Sequence, residues 1–348
     1  MTTLKDLSRH LGLSVTQVSR ALNGHSDVSE ATRLRVEKAA KKLKYMPNVS
    51  ARRLVSGRSG MVGFVERSYP GIARDTILLE TVTGLSSRFS ERGMQFVLHL
   101  SPDTGGGGDG RDMVAVYERL AIGGGLDGFV LTNPRRDDPR IRSLQQLGVP
   151  FVVHGRGDLD PPYPFVDIDN LGLGRQLTEH LVGHGHRRIA LINADEVFAF
   201  AAFRTRGYRE ALAAAGLPAP ARLVRHGRMT DALGMIATAQ IFAARDQRPT
   251  AIICSNILIA KGVYTALEAL GLSVPQDVSV VAHDDAVADV HPENFYPPLT
   301  VTRSALSLSW DPLAETLVRA IEGTGTDGLQ TFLPIEFREG GSVGPAPG

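Results

Sequence analysis

The chain has 348 residues, of which 43% are hydrophobic, and its formal net charge at pH 7 is +1. This length predicts two or three domains with a large apolar core, and the sequence has no apolar run near the roughly 18 residues of a transmembrane helix. Charge is segregated: residues 1–57 hold eleven Lys and Arg against four Asp and Glu (+7), and the remainder holds 27 against 33 (−6). A basic end on an acidic body predicts that one module contacts phosphates.

The cysteine content indicates the compartment. A single cysteine, Cys254, excludes a disulfide within the chain and a cysteine metal cluster, and it favours a reducing environment. The apolar residues around it predict a buried strand end rather than a nucleophile. The N-terminus lacks the apolar core of a signal peptide. We therefore expect a soluble cytoplasmic protein.

The first two predicted elements are short helices joined by a glycine turn. Thr3, three residues before Asp6, gives the first helix a capping-box start, and Gly12 can end it in the left-handed conformation. Ser14 caps the second helix. Apolar residues recur at helical spacing along both helices at Leu4, Leu7, Leu11, Val15, Val18 and Leu22. This arrangement is typical of a helix-turn-helix.

The second helix carries the candidate base-contacting residues. Polar side chains near the start of such a helix reach base edges or phosphates in the major groove. Thr16, Gln17 and Arg20 lie off most of the apolar stripe and are the first candidates. The predicted DNA-binding set also includes Thr3, Ser14, Val15, Ser19 and Asn23. Two short amphipathic helices also occur in bundles that do not bind DNA, so further features have to support this prediction.

A third helix and a break in the chain provide that support. Ser29 caps a helix predicted over residues 30–44, whose apolar residues Leu34, Ala39, Ala40 and Leu43 are available to close a three-helix core. Lysines crowd its C-terminal half, where they complement the helix dipole. Pro47 disfavours helix at Met46, and Asn48 can cap a new short helix over residues 49–55.

Residues 3–57, with the turn Tyr45-Met46-Pro47-Asn48, resemble the headpiece of the LacI/GalR family of bacterial transcription regulators. In that family the segment after the turn is a hinge helix that folds on DNA, pairs with its dimer mate in the minor groove and inserts a leucine into a base step. An apolar wedge of this kind costs unstacking, which is offset by DNA bending and added contacts. The resemblance implies DNA contacts by Asn48, Ala51, Arg52 and Leu54. An ordinary linker leucine is the alternative for Leu54.

Beyond residue 60, strands alternate with helices, which predicts parallel sheets covered by helices on both faces and organised in two α/β lobes. The first series has strands at 61–65, 94–100, 128–131 and 151–153 and helices at 77–91, 111–121 and 140–147. The second series, from Phe165, has helices at 171–184, 206–215, 232–244 and 259–269 and strands at 188–192, 223–225, 251–254 and 278–282.

Two local patterns raise other functions. The tract at residues 105–110 satisfies GxGxxG, but it follows the second strand of its lobe, so a flexible loop is preferred over a dinucleotide site. His180, His184 and His186 cluster, but no carboxylate or thiolate lies at suitable spacing and glycines flank His184. A helix end is therefore preferred over a metal site. We expect no cofactor, no metal and no enzymatic activity.

Residues from about 61 to 323 resemble the effector-binding core of the same family, a two-lobed fold shared with periplasmic sugar-binding proteins. Among the markers are residues 165–170, 183–190, 204–208, 274–285 and 298–303. The chain of that family crosses between lobes three times. The resemblance implies a headpiece (1–46), a hinge and linker (47–60), a core (61–340) with lobe 1 at about 61–161 and 292–322 and lobe 2 at about 162–291 and 323–340, and a flexible tail (341–348).

The effector is expected in the cleft between the lobes, at the carboxyl ends of strands. Arg204 matches the ligand-clamping arginine of the family, whose fork of donors suits vicinal hydroxyls or a carboxylate. Asp75 and Asp284 are candidate hydroxyl acceptors, with helix capping as the alternative for each. The remaining candidates are His154, Arg156, Asn256 and His283. A surface turn is the alternative for His154 and Arg156.

One position departs from the family pattern. Sugar-binding members usually carry an aspartate where this chain has Ile257, which cannot accept a hydrogen bond. Effector identity is therefore not transferred from relatives, although a glycoside or oligosaccharide is expected from family prevalence.

Together these patterns predict a homodimeric, sequence-specific transcription regulator, and more specifically a repressor. Its affinity for a near-palindromic double-stranded operator would be controlled by a small effector, a sugar or glycoside. The two headpieces would lie in successive major grooves with paired hinge helices between them. The tail at 340–348 has no heptad pattern, which argues against a tetramerising coiled coil. The alternatives are a sugar-binding or sensing protein without DNA function and, on an α/β scaffold, an enzyme.

Overall fold

The computed structural model describes residues 2–22, 27–45, 58–102, 111–123, 125–158, 162–244, 247–324 and 329–347. The chain divides into two compact units, Met1–Ser59 and Gly60–Gly348, which we call the headpiece and the core. The predicted hinge helix over residues 49–55 and the glycine tract at 105–110 lie outside the described residues.

The described headpiece contains the helices α1 (Leu4–Leu11), α2 (Val15–Leu22) and α3 (Glu30–Lys42). Thr3 caps α1 in a capping box with Asp6, and Gly12 ends the helix with a φ of 65°, as predicted. A second reciprocal pair starts α2, because the Gln17 amide donates to Ser14 Oγ (3.1 Å) and the Ser14 amide donates to Gln17 Oε1 (3.0 Å). The turn between the two helices is therefore fixed at both ends.

A small apolar core joins these helices. Leu7, Val18 and Val36, one from each helix, are fully buried. Two predictions were wrong, since Leu34 is 53% exposed and Val15 is 39% exposed. Residues two apart on a helix point in nearly opposite directions, so the burial of Val36 turns Leu34 outward. Val15 is the first residue of α2 and is left at the edge of the core.

Strands and helices alternate through the core. Lobe 1 begins with β1 (Met61–Arg67), α4 (Thr76–Glu91), β2 (Gln95–Ser101), α5 (Arg111–Ile122), β3 (Gly128–Thr132), α6 (Pro139–Leu147), β4 (Phe151–His154) and β5 (Phe165–Ile168). Lobe 2 follows with α7 (Asn170–Gly183), β6 (Ile189–Asn193), α8 (Ala199–Ala214), β7 (Val224–His226), α9 (Asp231–Phe242), β8 (Ala251–Cys254), α10 (Ile257–Ala269), β9 (Ser279–Asp284) and β10 (Thr300–Arg303). The chain returns to lobe 1 for α11 (Trp310–Glu322) and β11 (Gln330–Leu333) and then to lobe 2 for β12 (Glu336–Arg338).

Each lobe is built on a six-stranded sheet, with the order β11-β5-β4-β3-β1-β2 in lobe 1 and β12-β10-β9-β8-β6-β7 in lobe 2. Neighbouring strands are parallel except β10 and β12. Side chains alternate between the two faces of a strand, and helices cover both faces of each sheet. Both faces are therefore apolar. Phe129 and Leu131 of β3 pack under α5 and α6, whereas Val130 packs against α4 and α11.

The chain crosses between the lobes at three points, each later than predicted. β5 pairs with β4 and β11 pairs with β5, so both belong to lobe 1 rather than lobe 2. β10 pairs with β9 and belongs to lobe 2 rather than lobe 1. A buried strand must hydrogen-bond its backbone N–H and C=O groups to a neighbouring strand. The pattern of hydrophobic residues does not show which strand that neighbour is.

Most predicted elements of the core agree with the structure to within about two residues at each end. The main exception is α8, which begins at Ala199 rather than at residue 206, and whose N-cap residue Phe198 makes no side-chain capping bond that could signal the start. The sequence did not predict β10, α11, β11 or β12 as elements. Cys254 is buried at the end of β8, as predicted. Among the described residues, no helix is long and apolar enough to cross a membrane.

The predicted flexible tail was wrong for residues 341–347. Ser342 is fully buried, donates to Val280 O (2.6 Å) and accepts from the Thr300 amide (2.8 Å). Further along, the Ala346 amide donates to His184 O (2.9 Å). These hydrogen bonds fix the tail to the backbone of lobe 2, and a Gly- and Pro-rich composition alone does not predict them.

Helices α7 and α8 approach each other closely at two glycines. A Cβ at Gly174 would lie 2.2 Å from Arg204 O, and a Cβ at Gly207 would lie 2.1 Å from Leu171 O. Both neighbours are backbone atoms, so they cannot move aside as a flexible side chain could. The glycines therefore set the distance between the N-terminal half of α7 and the part of α8 that carries Arg204.

We expect Gly207→Ala to lower the free energy of unfolding by about 1–3 kcal/mol, because an added methyl group forces the two helices apart. Gly183→Ala is the matched control, since a Cβ at Gly183 in the same helix pair meets nothing within 4 Å. Urea denaturation of both variants measures the difference. Equal stability of the two variants would show that the close approach does not constrain the fold.

Candidate DNA-binding surface and effector cleft

The predicted DNA-contacting residues of α2 lie on one exposed face. Val15, Thr16, Gln17 and Arg20 are exposed, and Ser19 is partly exposed. Because positions four apart are neighbours on a helix, Thr16 and Arg20 are adjacent on this surface. Thr3 and Ser14 are exposed caps at the starts of α1 and α2. The other predicted contacts, Asn23, Asn48, Ala51, Arg52 and Leu54, lie outside the described residues.

Gln17 is oriented by its capping role. Its Oε1 accepts from the Ser14 amide, and Ser14 Oγ lies 3.2 Å from the same oxygen. The carbonyl oxygen is thereby occupied, which leaves the two donors of the Nε2 amino group for acceptors on base edges or phosphates.

Arg20 is held by a residue that the sequence did not single out. Its Nη2 lies 2.8 Å from Asp27 Oδ2, and its Nε donates to Asp27 Oδ1 at 3.2 Å. Both side chains are about half exposed, with relative exposures of 47% and 52%. Exposed ion pairs are weak and screened by salt, so this pair can orient the guanidinium without preventing it from contacting DNA.

Arg204 lies at the centre of the candidate effector cleft. It is 6% exposed, its Nε donates to Asn170 Oδ1 (2.8 Å), and its Nη1 donates to Ser255 O (2.6 Å) and Ser255 Oγ (3.0 Å). The Phe200 ring centroid lies 5.2 Å from its guanidinium carbon. Burial lowers the pKa of Arg204, and the carboxylates of Asp285 and Asp167 oppose this effect. Asn170 and Ser255 were not predicted.

Asp285 is the carboxylate whose charge acts most strongly on Arg204. It directly follows β9, and its Oδ1 lies 3.5 Å from His283 Nε2. Burial opposes ionisation, but the interaction with His283 and the positive charge on Arg204 hold the pKa of Asp285 below its usual range. His154, at the end of β4 in lobe 1, also acts on this carboxyl. Asp285 therefore interacts electrostatically with groups from both lobes.

His154 contributes a neutral imidazole to the cluster. Burial lowers its pKa to about 4, although the Asp285 carboxylate favours the charged form. At neutral pH the ring consequently has one donor and one acceptor nitrogen. Three of the predicted residues, His154, Arg204 and His283, are thus brought together around Asp285, which the sequence prediction missed.

The two carboxylates predicted to accept effector hydroxyls, Asp284 and Asp75, accept hydrogen bonds from groups of the protein itself. Asp284 is fully buried, and its carboxylate accepts from Arg303 Nη1 (2.7 Å) and the Ala286 amide (2.8 Å). Asp75 caps α4 by accepting from the Leu78 amide (3.0 Å), as the capping alternative predicted. The sequence could not distinguish Asp284 from Asp285, because successive residues near a strand end face opposite sides.

Asn256 combines a capping role with an unused donor. Its Oδ1 accepts from the Ile259 amide (3.0 Å) at the start of α10, and the side chain is 1% exposed. Within the described part of the chain, its Nδ2 has no hydrogen-bond partner. A buried amide donor next to Ser255 is therefore available to a ligand.

Arg156 lies on a different side of the cluster. Its guanidinium is sandwiched between Phe203 (4.8 Å) and Phe332 (5.1 Å), and its Nε lies 3.4 Å from Asp167 Oδ2. It lines a cavity of about 560 Å³ with Phe332 and residues of α7. Asp167 in turn accepts from Asn170 Nδ2 (2.9 Å), so Arg156 connects with Arg204 through a chain of side chains rather than directly.

Contacts across the cleft join the two lobes. The Arg228 guanidinium of lobe 2 lies 3.7 Å from the Tyr69 ring centroid and 3.8 Å from Asp75 Oδ2 in lobe 1. Glu80 Oε1 of lobe 1 accepts from the Ala288 amide of lobe 2 (2.7 Å). These contacts are polar and partly exposed, so they can separate at modest cost when the angle between the lobes changes.

Comparison with known proteins agrees with this architecture. Residues 3–48 match the family model for bacterial regulatory proteins of the lacI family, and residues 178–343 match a periplasmic binding protein-like domain. The HTH-type transcriptional regulator AglR of Rhizobium meliloti (strain 1021) is 40% identical over 345 residues, which cover 99% of this chain and 95% of AglR.

Two solved structures are also similar over nearly the whole chain. A complex of the transcriptional regulator CelR with cellobiose has a TM-score of 0.69 and 32% identity, covering 98% of this chain and 100% of that one. The lac repressor dimer bound to operator and the anti-inducer ONPF has a TM-score of 0.79 and 25% identity, covering 99% of each chain. The chain belongs to the LacI family and is a DNA-binding transcriptional regulator, not an enzyme.

Proposed function

We propose that this regulator binds a near-palindromic operator as a homodimer and represses transcription in the cytoplasm, and that a sugar or glycoside in the cleft sets its DNA affinity. The observation that carries the proposal is the cluster of Arg204, Asp285 and His154, which places a fixed cation, a carboxylate and a neutral imidazole at the contact of two lobes.

The chemistry of the cluster suits a carbohydrate. Vicinal hydroxyls both donate and accept, so they can pair with the Asp285 carboxylate and with donors on Arg204 and Asn256 at the same time. Phe200 supplies an apolar surface for the carbon face of a sugar ring. The cellobiose in the CelR complex supports a disaccharide in particular.

Ile257 occupies a position where sugar-binding members of the family usually carry an aspartate. Its side chain is 1% exposed and belongs to the apolar core of lobe 2, together with Cys254 and Ile259. We infer that Asp285 supplies the acceptor that an aspartate provides at the position of Ile257 in other members of the family. The effector is then held by a carboxylate that directly follows β9 rather than by one at the start of α10.

Coupling to DNA follows from the distribution of these groups between lobes. His154 belongs to lobe 1, whereas Arg204, Asn256 and Asp285 belong to lobe 2. A ligand that contacts both lobes binds best at one angle between them, and so shifts the population toward that angle. Coupling free energies of about 1–3 kcal/mol are ordinary for such a link.

A homodimer is supported by the lac repressor neighbour, which is a dimer on its operator. The core also exposes large apolar side chains on two helices, with Leu79 of α4 at 49%, Met235 of α9 at 44% and Ile236 of α9 at 57% exposure. Apolar residues of this size on a helix surface are consistent with burial against a second copy.

For DNA binding, we expect Arg20→Ala to weaken binding to a cognate duplex more than binding to a scrambled duplex, by about 1–3 kcal/mol of discrimination. The cognate duplex is the one that the chain selects from a random pool. Arg9→Ala removes the same charge from an exposed position on α1 and is the control. Fluorescence anisotropy at fixed salt gives two affinities, one for each duplex, for the parent chain and for each variant. Equal losses on both duplexes in Arg20→Ala would show that Arg20 contacts only phosphate.

For effector binding, we expect a thermal-shift screen of α- and β-linked disaccharides, uronates, sugar phosphates and purines to give hits among the disaccharides. A ligand at a hundred times its Kd adds about 2.7 kcal/mol of stability. Asp285→Asn should weaken the best hit about tenfold to a hundredfold by calorimetry, because it removes a charged hydrogen-bond acceptor.

Asp277→Asn is the matched control for this variant, since Asp277 is exposed near the opposite end of the same strand, β9. Unchanged affinity in Asp285→Asn would contradict the assigned cleft. Hits restricted to purines or sugar phosphates would contradict the assigned effector class.

A further inference from the structure

Three metal-binding side chains from distant parts of the chain meet at the end of α7. His180 lies in the last turn of this helix, and His184 is its C-cap. Glu339 directly follows β12 and supplies the carboxylate that the sequence pattern around the histidines lacked. One imidazole nitrogen from each histidine and one carboxylate oxygen all lie within 4.8 Å of one another.

A tetrahedral site requires ligand atoms that lie closer together than this limit. Ligand bonds of about 2.0–2.2 Å in tetrahedral zinc sites place the ligand atoms roughly 3.4 Å apart. Glu339 is exposed, so a small rotation of its side chain brings the carboxylate closer. The two histidine rings are already adjacent, with centroids 4.6 Å apart.

The imidazoles are oriented as metal ligands usually are. His184 Nδ1 lies 2.8 Å from His180 O, so it can donate its proton to this carbonyl and leave Nε2 free to bind a cation. His180 packs its ring on Phe337 at 4.8 Å, and its Nε2 is buried without a hydrogen-bond partner in the described part of the chain. A buried ring nitrogen without a partner has unused capacity for a ligand.

The third histidine of the pattern has a separate role. His186 is fully buried, with Nδ1 2.9 Å from Thr250 Oγ1 and Nε2 2.9 Å from Ser279 Oγ. Both of its ring nitrogens are therefore occupied by the core of lobe 2. The cluster therefore has two imidazoles and one carboxylate.

We propose that His180, His184 and Glu339 bind one divalent transition-metal cation of the Zn²⁺ type, with water at the fourth position. Two imidazoles and a carboxylate suit Zn²⁺ more than Mg²⁺ or Ca²⁺, which prefer oxygen ligands. The bound cation joins the end of α7 to the segment after β12. Both segments belong to lobe 2, so the cation stabilises the packing of this helix end within lobe 2.

The test is calorimetric titration of ZnCl₂ into the full chain, prepared without a polyhistidine tag, treated with EDTA and then freed of it. We expect one equivalent to bind and to raise the Tm, since the cation binds the folded form. Co²⁺ should give visible absorption bands of a tetrahedral site. His184→Gln and Glu339→Gln should each weaken binding at least about tenfold and abolish the bands.

His291→Gln is the matched control, because His291 is exposed and lies outside the cluster. Circular dichroism checks that each variant is folded, which is expected since neither His184 nor Glu339 is buried. Retention of binding in His291→Gln together with its loss in the two ligand variants supports the site. Absence of binding by the parent chain, or unchanged binding in His184→Gln, would overturn it, and neither result depends on the effector.

Discussion

The buried guanidinium of Arg204 is the constraint on which the rest of the core depends. An arginine that is 6% exposed must have partners, because an unpaired buried charge is costly. Asn170 and Ser255 satisfy its donors from the ends of two other elements, and Asp285 supplies the opposing charge. The close approach of α7 and α8 at Gly174 and Gly207 makes this geometry possible.

The same arrangement explains why the cleft can couple to DNA. Lobe 2 holds Arg204 rigidly through a packed helix pair, whereas several contacts between the lobes are polar and partly exposed, as for Arg228 with Tyr69 and Asp75. Packed interiors do not deform continuously, so a change in the angle between lobes concentrates at these contacts and at the crossing segments. An effector that contacts both lobes therefore acts on the contacts between the lobes and on the crossing segments.

The sequence predicted the alternation of elements and the headpiece turn well, because capping residues and apolar periodicity are local signals. It missed the lobe assignment of β5, β10 and β11, since strand pairing is a long-range choice. For the cleft it proposed Arg204 and Asp284, and it did not single out Asp285, because adjacent residues face opposite sides and only the register decides which one faces the cleft. The pairing of Arg20 with Asp27 and the joining of Glu339 to two histidines likewise depend on contacts that no local pattern records.

If effector binding in the cleft is linked to operator binding by the headpiece, each ligand changes the affinity of the other by the same factor. The effector Kd is measured with the chain free and saturated with its selected operator, and the operator Kd is measured with and without saturating effector. We expect the same ratio in both experiments, about 5-fold to 150-fold, because linkage is symmetric. Ratios of one in both experiments, with both ligands bound, would contradict it.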